Sequence, residues 1–316
     1  MKPSIPYKIF KSPRMLYAYA GMIYFALFLF ASVASMAAYA SFSYAADPRL
    51  LFSWWWFLAI LGVGLAAYLG LFLLQASIHF LIGEVFKATG AGKEGVKSAY
   101  ANHVLRQNVF LALRFFRLSV RKNDFDKLPP KSEHAMFVYN HISGLDPLVM
   151  IDAFKDRDQF YIQKQQMIAT PLAGGYTKKA GYLFIKQDDL LSGKRVVDRA
   201  GEILRANAAD IVVAPEGHRN KAYPERLSLP YRGGTFAMAY SSNCPIVVVA
   251  LENTHAVRRR FPLRPTKAYV DVVAVLRYQD YRDLKPSELA QRVSALIGER
   301  LQEKEARRCR FKERAA

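Results

Sequence analysis

The chain lacks the features that mark small secreted proteins and zinc modules. Only Cys244 and Cys309 are cysteines among 316 residues. No Cys/His cluster surrounds either of them, so neither a disulfide framework nor a zinc site is indicated. Repeats and low-complexity segments are also missing, so a repeat architecture is not expected. For the polar part of the chain, these absences favour a reducing, cytosolic environment.

Acidic residues are scarce relative to basic ones. The chain has 26 Asp and Glu against 45 Lys and Arg, a formal net charge of +19. Such an excess predicts attraction to an anionic partner, and nucleic acid and acidic lipid head groups are the two obvious candidates. No nucleic-acid recognition motif accompanies the basic charge. The prediction is therefore membrane lipids as partner and no nucleic acid.

Two long stretches near the start of the chain contain no charged residue. They run from 15 to 46 and from 50 to 83, separated by Asp47-Pro48-Arg49. About 20 apolar residues in helix cross a bilayer core, so both stretches are long enough. A cleaved secretory signal fits less well, because the first stretch is about twice the usual length and a second follows directly. Residues 1–90 are thus predicted to form a membrane-anchoring helical hairpin, and the sequence leaves open whether it spans or is half-inserted.

Basic residues flank both ends of this hairpin, while its tip holds one Asp and one Arg. The flanking residues are Lys2, Lys8, Lys11, Arg14, Lys87, Lys93 and Lys97. The positive-inside rule places both ends in the cytoplasm. Residues 91–316 are then a cytoplasmic domain held at the inner, cytoplasmic membrane, and the glycine-rich segment 90–95 is a predicted hinge.

Beyond the hairpin, short apolar runs alternate with helical patterns. The predicted strands are 119–122, 135–138, 160–162, 181–185, 211–214, 245–251 and 268–276. Gly174-Gly175 is read as a break, and residues 286–309 as a helix of mixed charge followed by a basic tail. This alternation predicts an α/β fold with a mixed, largely parallel sheet flanked by helices.

One loop carries a histidine and an aspartate suited to base catalysis. Asn140 and His141 follow the strand 135–138, and Asp146-Pro147 reads as a helix start with Asp at the N-cap. Imidazole can take a proton from a hydroxyl near neutral pH while a carboxylate orients it. The pair has no nucleophile of its own, so the natural nucleophile is a substrate hydroxyl. The alternative is that Asp146 is only a helix cap and His141 only a loop residue.

These residues and three further blocks resemble the 1-acylglycerol-3-phosphate acyltransferases and their glycerolipid acyltransferase relatives. Asn140-His141 with Asp146 matches the Asn-His-x4-Asp motif of that family. The segment 215–219 matches its Pro-Glu-Gly-Thr-Arg motif, except that His218 replaces Thr. Blocks at 181–185 and 245–249 follow in the family's order. The resemblance covers roughly residues 119 to 275.

The resemblance implies acyl transfer from a thioester, carried by coenzyme A or acyl carrier protein, to the hydroxyl of a lysophospholipid. The acceptor would be 1-acylglycerol-3-phosphate and the product phosphatidic acid. The thioester is a co-substrate, so neither a cofactor nor a metal is expected. By the same resemblance, His141 would be the base and Asp146 its orienting carboxylate.

The resemblance also implies a set of substrate-binding residues: Glu216, Gly217, Arg219, Arg232, Lys186 and Gly181. The first three would bind the glycerol phosphate, and guanidinium groups such as that of Arg219 pair well with phosphate. A family Arg falls on Gln187 here, so the head-group specificity stays open. The alternatives are another acceptor, such as a lyso-ornithine lipid, and a non-catalytic membrane lipid-binding scaffold.

Overall fold

The computed structural model of the chain describes residues 54–89, 92–186 and 189–315. Contacts between residues divide the chain into two units, with the boundary between Val85 and Phe86. The two units are described separately below.

The described part of the first unit belongs to one long apolar helix, α1, Trp54–Ala88, which ends just past the boundary. Its part Leu61–Ala88 has 28 residues, and an 18-residue window within it has a mean hydropathy of 1.9 and no buried residue. At 1.5 Å per residue this part is about 42 Å long, more than the roughly 30 Å core of a bilayer. It is the one candidate membrane span in the described part of the chain. The other predicted arm, 15–46, and the tip lie outside the described residues.

The second unit is built on a seven-stranded sheet. The strand order is β1-β7-β6-β2-β5-β3-β4, and every neighbouring pair is parallel except the antiparallel β6 and β7. The mixed, largely parallel sheet predicted from the sequence is therefore confirmed. The strands are β1 Leu118–Asn123, β2 Met136–Tyr139, β3 Gln159–Lys164, β4 Leu183–Ile185, β5 Asp210–Val213, β6 Ile246–Glu252 and β7 Thr266–Leu276.

Helices flank this sheet. They are α2 Ala99–Phe115, α3 Asp146–Ala153, α4 Gly174–Lys179, α5 Leu190–Arg205, α6 Ala237–Ser242, α7 Val257–Arg260 and α8 Pro286–Ala315. Short 3-10 turns lie at Phe125–Lys127, Gln165–Ala169, Gly233–Phe236, Thr254–Ala256 and Tyr278–Asp280. Helix α2 packs against α3 and α4, α5 packs against α6, and α8 packs on β6.

The central strands are buried over their whole length. All residues of β2, β5 and β6 are buried, because helices cover both faces of a largely parallel sheet and leave no polar face. Their continuous apolar runs, such as Ile246–Leu251, are what made these strands recognisable in the sequence.

The strand directions bring several chain ends to one edge of the sheet. Strands β2, β5 and β6 end there, and we call it the carboxyl edge. Because β7 runs antiparallel to β6 and β1 runs parallel to β7, the first residues of β1 and β7, Leu118 and Thr266, lie at the same edge. The loops that leave the central strands therefore meet there, as in other open α/β sheets.

One local prediction was wrong. Gly174 does not break the chain but begins α4, and a Cβ atom there would lie 2.0 Å from the carbonyl oxygen of Ile168. This close approach requires glycine, which has no side chain. In the sequence alone, the pair Gly174-Gly175 resembles a turn. The described part of the predicted hinge is fastened to the sheet unit: Gly95 N–H donates to Gly181 O at 2.8 Å, and Glu94 accepts from Phe184 N–H at 3.0 Å.

Candidate active site

Asn140 fixes the start of the loop that carries the predicted base. Its side chain is fully buried. The Nδ2 group donates to Leu251 O at 3.0 Å, and Leu251 N–H donates to Asn140 Oδ1 at 2.7 Å. Through these two bonds, the Asn140 side chain extends the hydrogen-bonded pairing of β2 and β6 beyond the end of β2. The Asn of the Asn-His pair thus sets the point at which the chain leaves the sheet.

His141 lies just past the end of β2, and its imidazole contacts Asp146, the first residue of α3. His141 Nδ1 is 2.8 Å from Asp146 Oδ2. The His141 side chain is 20% exposed and the Asp146 side chain is fully buried. Because a carboxylate can only accept, the ring proton sits on Nδ1 and Nε2 carries the lone pair. The imidazole is therefore oriented to take a proton at Nε2.

Asp146 receives hydrogen bonds from three directions besides the imidazole. Its Oδ2 accepts from the N–H groups of Ile142 and Ser143, both at 2.7 Å. Its Oδ1 accepts from Thr254 Oγ1 at 2.5 Å. All four donors lie outside α3, whose N-cap position is Leu145. The prediction of Asp146 as the N-cap was therefore wrong, because its carboxylate bonds the loop and the end of β6 instead of the helix.

The loop that follows β5 is attached to the His141 loop. Asn220 N–H donates to His141 O at 2.7 Å. A Cβ atom on Gly144 would lie 3.4 Å from Arg219 Nη1, so the guanidinium group of Arg219 lies over the His141 loop. The two loops that carried separate sequence motifs therefore form one surface at the carboxyl edge.

Gly217 and Arg232 complete this surface. Gly217 has φ +73°, a conformation that glycine adopts readily. A Cβ atom there would lie 3.1 Å from Arg232 Cζ, so the Arg232 guanidinium packs against the Gly217 backbone. Arg219 and Arg232 are both exposed. One exposed guanidinium group thus lies over the His141 loop and a second lies against Gly217 in the attached loop, and both suit an anionic ligand.

Glu216 lies beneath this surface, not on it. The residue is 1% exposed, and among the described residues its two carboxyl oxygens have no hydrogen-bond partner. Burial raises the pKa of Glu216 to about 8, and the negative charge of Asp146 adds to the rise. Glu216 is therefore a neutral acid at pH 7, supporting the loop from below, where the sequence had suggested direct phosphate contact.

The two residues from the second sequence block lie further away. Lys186 directly follows β4, so it is at the carboxyl edge, but β4 is three strands from β2, about 14 Å at the usual strand spacing. Gly181 precedes β4, at the opposite edge. Its φ is +89°, and a Cβ atom would lie 2.6 Å from Val96 O, so its need for glycine is explained by chain packing. Gln187 lies outside the described residues.

Thr254 is the site residue that the sequence did not single out. It is fully buried, sits two residues after the end of β6, and reaches Asp146 from the far side of the carboxylate. The available signal was its position directly after a buried strand, since loops at that point of an α/β sheet carry functional side chains. Among the described residues, no group of three or more His, Cys, Asp or Glu could hold a metal ion.

The part of the chain that carries the His-Asp pair and the arginine-bearing loop is similar to a known protein family. Residues 119–252 match the model of the family called Acyltransferase. This span begins in β1 and ends with β6, so it contains both loops of the site. Over this part the chain is similar to the Acyltransferase family, in agreement with the resemblance carried by the sequence motifs.

The particular relatives carry a more specific name. Proteins named 1-acyl-sn-glycerol-3-phosphate acyltransferase match from Borreliella burgdorferi, at 25% identity over 40% of this chain and 48% of the relative, and from Cocos nucifera, at 25% over 54% of each. A third, from Limnanthes douglasii, is 24% identical over 48% of this chain and 54% of its own. The chain thus spans about half the length of the curated relatives it matches.

A solved structure shares the fold. The crystal structure of the 1-acyl-sn-glycerophosphate (LPA) acyltransferase PlsC from Thermotoga maritima matches with a TM-score of 0.52 at 19% identity. The match covers 65% of this chain and 81% of that one. At this identity the comparison establishes the architecture of the sheet and its helices.

Proposed function

We propose that this chain is a membrane-bound O-acyltransferase that moves a fatty acyl group from a thioester to the hydroxyl of 1-acylglycerol-3-phosphate, giving phosphatidic acid. The observation that carries the proposal is the orientation of His141, whose Nδ1 is held by the buried Asp146 while Nε2 is left to act as base. The identity of the acceptor is inferred from the names of the relatives.

The reaction uses His141 as base and then as acid. The acceptor hydroxyl oxygen attacks the thioester carbonyl carbon while His141 Nε2 takes the hydroxyl proton. The tetrahedral intermediate collapses, the C–S bond breaks, and the proton on His141 passes to the departing thiolate. Asp146 stabilises the imidazolium between these steps. The ester and the free thiol of coenzyme A or acyl carrier protein leave, and no cofactor is needed.

The acceptor phosphate would bind above the two arginines. Arg219 and Arg232 are exposed beside the His141 loop, and guanidinium groups form paired, charge-assisted bonds with phosphate. The Gly217 backbone allows close approach of such a ligand, because it has no side chain. A neutral Glu216 beneath the loop leaves this surface without a competing negative charge.

The two regions predicted from the sequence would then have separate roles. Region 1–90 anchors the protein, and region 91–316 carries the reaction on the cytoplasmic side, with its active site at the inner membrane. Such an arrangement spares a lipid acceptor the transfer of its chain into water, which costs about 0.8 kcal/mol for each exposed methylene. Helix α1 supports the anchoring part of the proposal.

A panel assay tests the activity. The purified full chain is offered acyl-CoA and acyl-acyl carrier protein donors with lysophosphatidic acid, other lysophospholipids and lyso-ornithine lipid, and the products are identified by mass spectrometry. We expect phosphatidic acid as the main product. A different acylated lipid would overturn the acceptor assignment, and the absence of any product would favour the lipid-binding scaffold.

Arg219→Ala tests the phosphate site. We expect KM for lysophosphatidic acid to rise about tenfold or more, with a smaller change in kcat, because a charge-assisted bond to the ground-state phosphate is lost. Arg226→Ala is the matched control, since it removes the same charge from an exposed position of the same connection. An unchanged KM in the Arg219 variant would contradict the phosphate role.

A further inference from the structure

A second surface at the carboxyl edge combines exposed apolar side chains with arginines. Helix α2 ends at this edge, and the segment 257–264 precedes β7 there. We call the following residues the aromatic–arginine surface: Phe115, Phe116, Phe261, Leu263, Arg114, Arg258, Arg259, Arg260 and Arg264. None of them belongs to the proposed catalytic or phosphate-binding set.

The apolar part of this surface consists of large side chains that are exposed to solvent. Phe115 is 65% exposed and Leu263 is 84% exposed. The rings of Phe115, Phe116 and Phe261 form one cluster, with centroid distances of 5.2 to 5.5 Å. Contiguous exposed apolar groups mark binding surfaces in soluble domains. We therefore expect this cluster to bind a partner.

The two chain segments are fixed to one another. Arg117 has φ +50° at the corner between α2 and β1, and its Nη1 donates to the carbonyl oxygens of Pro262 and Leu263 at 3.0 and 3.1 Å. Thr266 N–H donates to Arg117 O at 2.9 Å. The surface is therefore preformed by hydrogen bonds and not by the chance approach of two loops.

The charge around the apolar cluster has one sign. Arg258, Arg259, Arg260 and Arg264 are exposed, and no carboxylate among the described residues forms an ion pair with them. The segment 253–270 contains no Asp or Glu. A partner that fits such a surface is apolar inside and negative at its boundary.

We propose that the aromatic–arginine surface docks the sheet unit onto an anionic phospholipid membrane, with Phe115 and Leu263 entering the interfacial region and the arginines contacting lipid phosphates. Aromatic and aliphatic groups beside Lys or Arg are typical of interfacial binding. Leu263 argues against nucleic acid, because an exposed aliphatic chain cannot stack on bases as aromatic rings do. The inference rests partly on the proposed function, which requires a lipid acceptor.

The position of the surface has a functional consequence. Thr254, which bonds Asp146, is three residues before Val257, the first residue of α7. Docking through this surface therefore turns the edge that carries His141 toward the bilayer. A lipid acceptor could then present its hydroxyl to the site while its acyl chain stays in the membrane.

The test places a fluorescent reporter on the surface of the full chain. Cys309 is replaced by Ser, Cys244 is kept because it is buried, and a polarity-sensitive dye is attached to Leu263→Cys. The matched control is Ala208→Cys, an exposed position before β5 at the opposite edge. Both proteins are placed in phosphatidylcholine nanodiscs with or without phosphatidylglycerol, each containing a lipid-borne quencher near the head groups.

We expect quenching at position 263 to be at least about threefold stronger with phosphatidylglycerol, and to weaken at about 0.5 M salt, because lipid phosphate attracts the arginines. Position 208 should respond to neither change. Equal responses at the two positions, no effect of phosphatidylglycerol, or a dye response to an RNA oligomer but not to lipid would overturn the proposal.

Two charge variants distinguish membrane binding through this surface from attraction by the net positive charge of the whole protein. The variant Arg258→Gln/Arg259→Gln/Arg260→Gln should lose the phosphatidylglycerol-dependent quenching at position 263. The variant Lys131→Gln/Arg282→Gln/Lys285→Gln removes the same charge from exposed residues at the opposite edge and should keep it. Acyl transfer to a detergent-dispersed acceptor should survive in both variants, so a failed docking experiment and a failed acyltransferase assay remain distinguishable.

Discussion

Two His-Asp pairs stand at opposite ends of β2. His134 lies two residues before the strand, with its Nδ1 3.2 Å from Asp210 Oδ1, and His141 lies two residues after it, with its Nδ1 2.8 Å from Asp146 Oδ2. Both aspartates are fully buried, and the histidine side chains are 13% and 20% exposed. By distance and burial the two pairs are nearly alike.

The other partners of each aspartate separate the pairs. Arg157 donates to both oxygens of Asp210, at 2.5 and 2.9 Å, and Ala135 N–H donates at 2.9 Å. The negative charge of Asp210 is thus already matched by a buried guanidinium. The donors to Asp146 besides His141 are two backbone N–H groups and the Thr254 hydroxyl, all neutral.

This difference explains why one pair suits catalysis. A carboxylate held only by neutral groups keeps its net charge, which can stabilise an imidazolium as it forms. A carboxylate already paired with arginine offers much less to a second cation. We therefore propose the pair at the carboxyl edge, and not the pair at the opposite edge, for proton transfer; the latter pair binds Arg157 near the start of β2.

Replacing each histidine should give the largest difference in kcat between the two His-Asp pairs. His141→Ala should lower kcat for acyl transfer by about 1000-fold, because general-base catalysis is lost. His134→Ala should leave kcat within about twofold of the original, since it lies far from the reacting groups. Both are measured on purified protein, with membrane insertion checked by fractionation. Near-normal turnover in the His141 variant would break the proposed mechanism.

Replacing each aspartate by asparagine should affect different quantities. Asp146→Asn keeps an oxygen to accept hydrogen bonds but removes the charge, so kcat should fall by about 100-fold with little loss of stability. Asp210→Asn leaves Arg157 buried without its counter-charge and should cost about 3–5 kcal/mol of stability. Thermal unfolding and kcat are compared for both. If the Asp146 variant retained its activity, orientation by charge would be refuted.

Thr254→Val tests the role of the neutral hydrogen-bond donors around the Asp146 carboxylate. The variant removes one donor but keeps the shape of the side chain, so we expect kcat to fall about tenfold while KM for the acceptor changes little. Thr254→Ser restores the hydroxyl and should restore most of kcat. Failure of Ser to rescue, when Val is defective, would mean that Thr254 acts through packing and not through its bond to Asp146.

Glu216→Gln tests the buried acid at the carboxyl edge through the pH dependence of protein stability. The pKa of Glu216 is raised from 4.5 to about 8, so the folded state holds a proton that the unfolded state releases between these values. Stability from this proton is fully present below pH 4.5 and is lost as pH rises to about 8. The native protein should therefore lose more thermal stability between pH 6 and 8 than the Gln variant.

Circular dichroism melting of both proteins across that pH range measures this effect. At pH 7 the Gln variant should retain most of its acyl transfer activity, because it resembles the neutral acid in shape and charge. Parallel melting curves at every pH would show that Glu216 titrates normally and is not held neutral beneath the loop.

Most of the sheet could be predicted from local sequence pattern. Continuous apolar runs such as Ile246–Leu251 lie close to the observed strands, because a strand covered on both faces has no room for polar residues. The starts of α3 and α4 were less predictable. Asp146-Pro147 resembles a cap, but the Asp146 carboxylate bonds its own loop and the distant Thr254. Gly174-Gly175 resembles a turn, but Gly174 begins a helix in close contact with Ile168 O.

The predicted site divides in the same way. His141 and Asp146 are five residues apart, so strand, loop and helix patterns suffice to bring them together. The burial of Glu216 beneath the loop and the approach of Thr254 depend on the sheet order, which no local pattern gives. Gly181 shared a motif block with Lys186, yet the two lie at opposite ends of β4.

By itself the sequence determined which residues can react and which segments form strands, because these follow from side-chain chemistry and from local periodicity. Only the tertiary structure decided which of two buried aspartates is paired with a buried guanidinium, because Arg157 reaches Asp210 while Thr254 reaches Asp146. The antiparallel turn from β6 to β7 likewise brings Phe115 and Leu263 to the edge that carries His141.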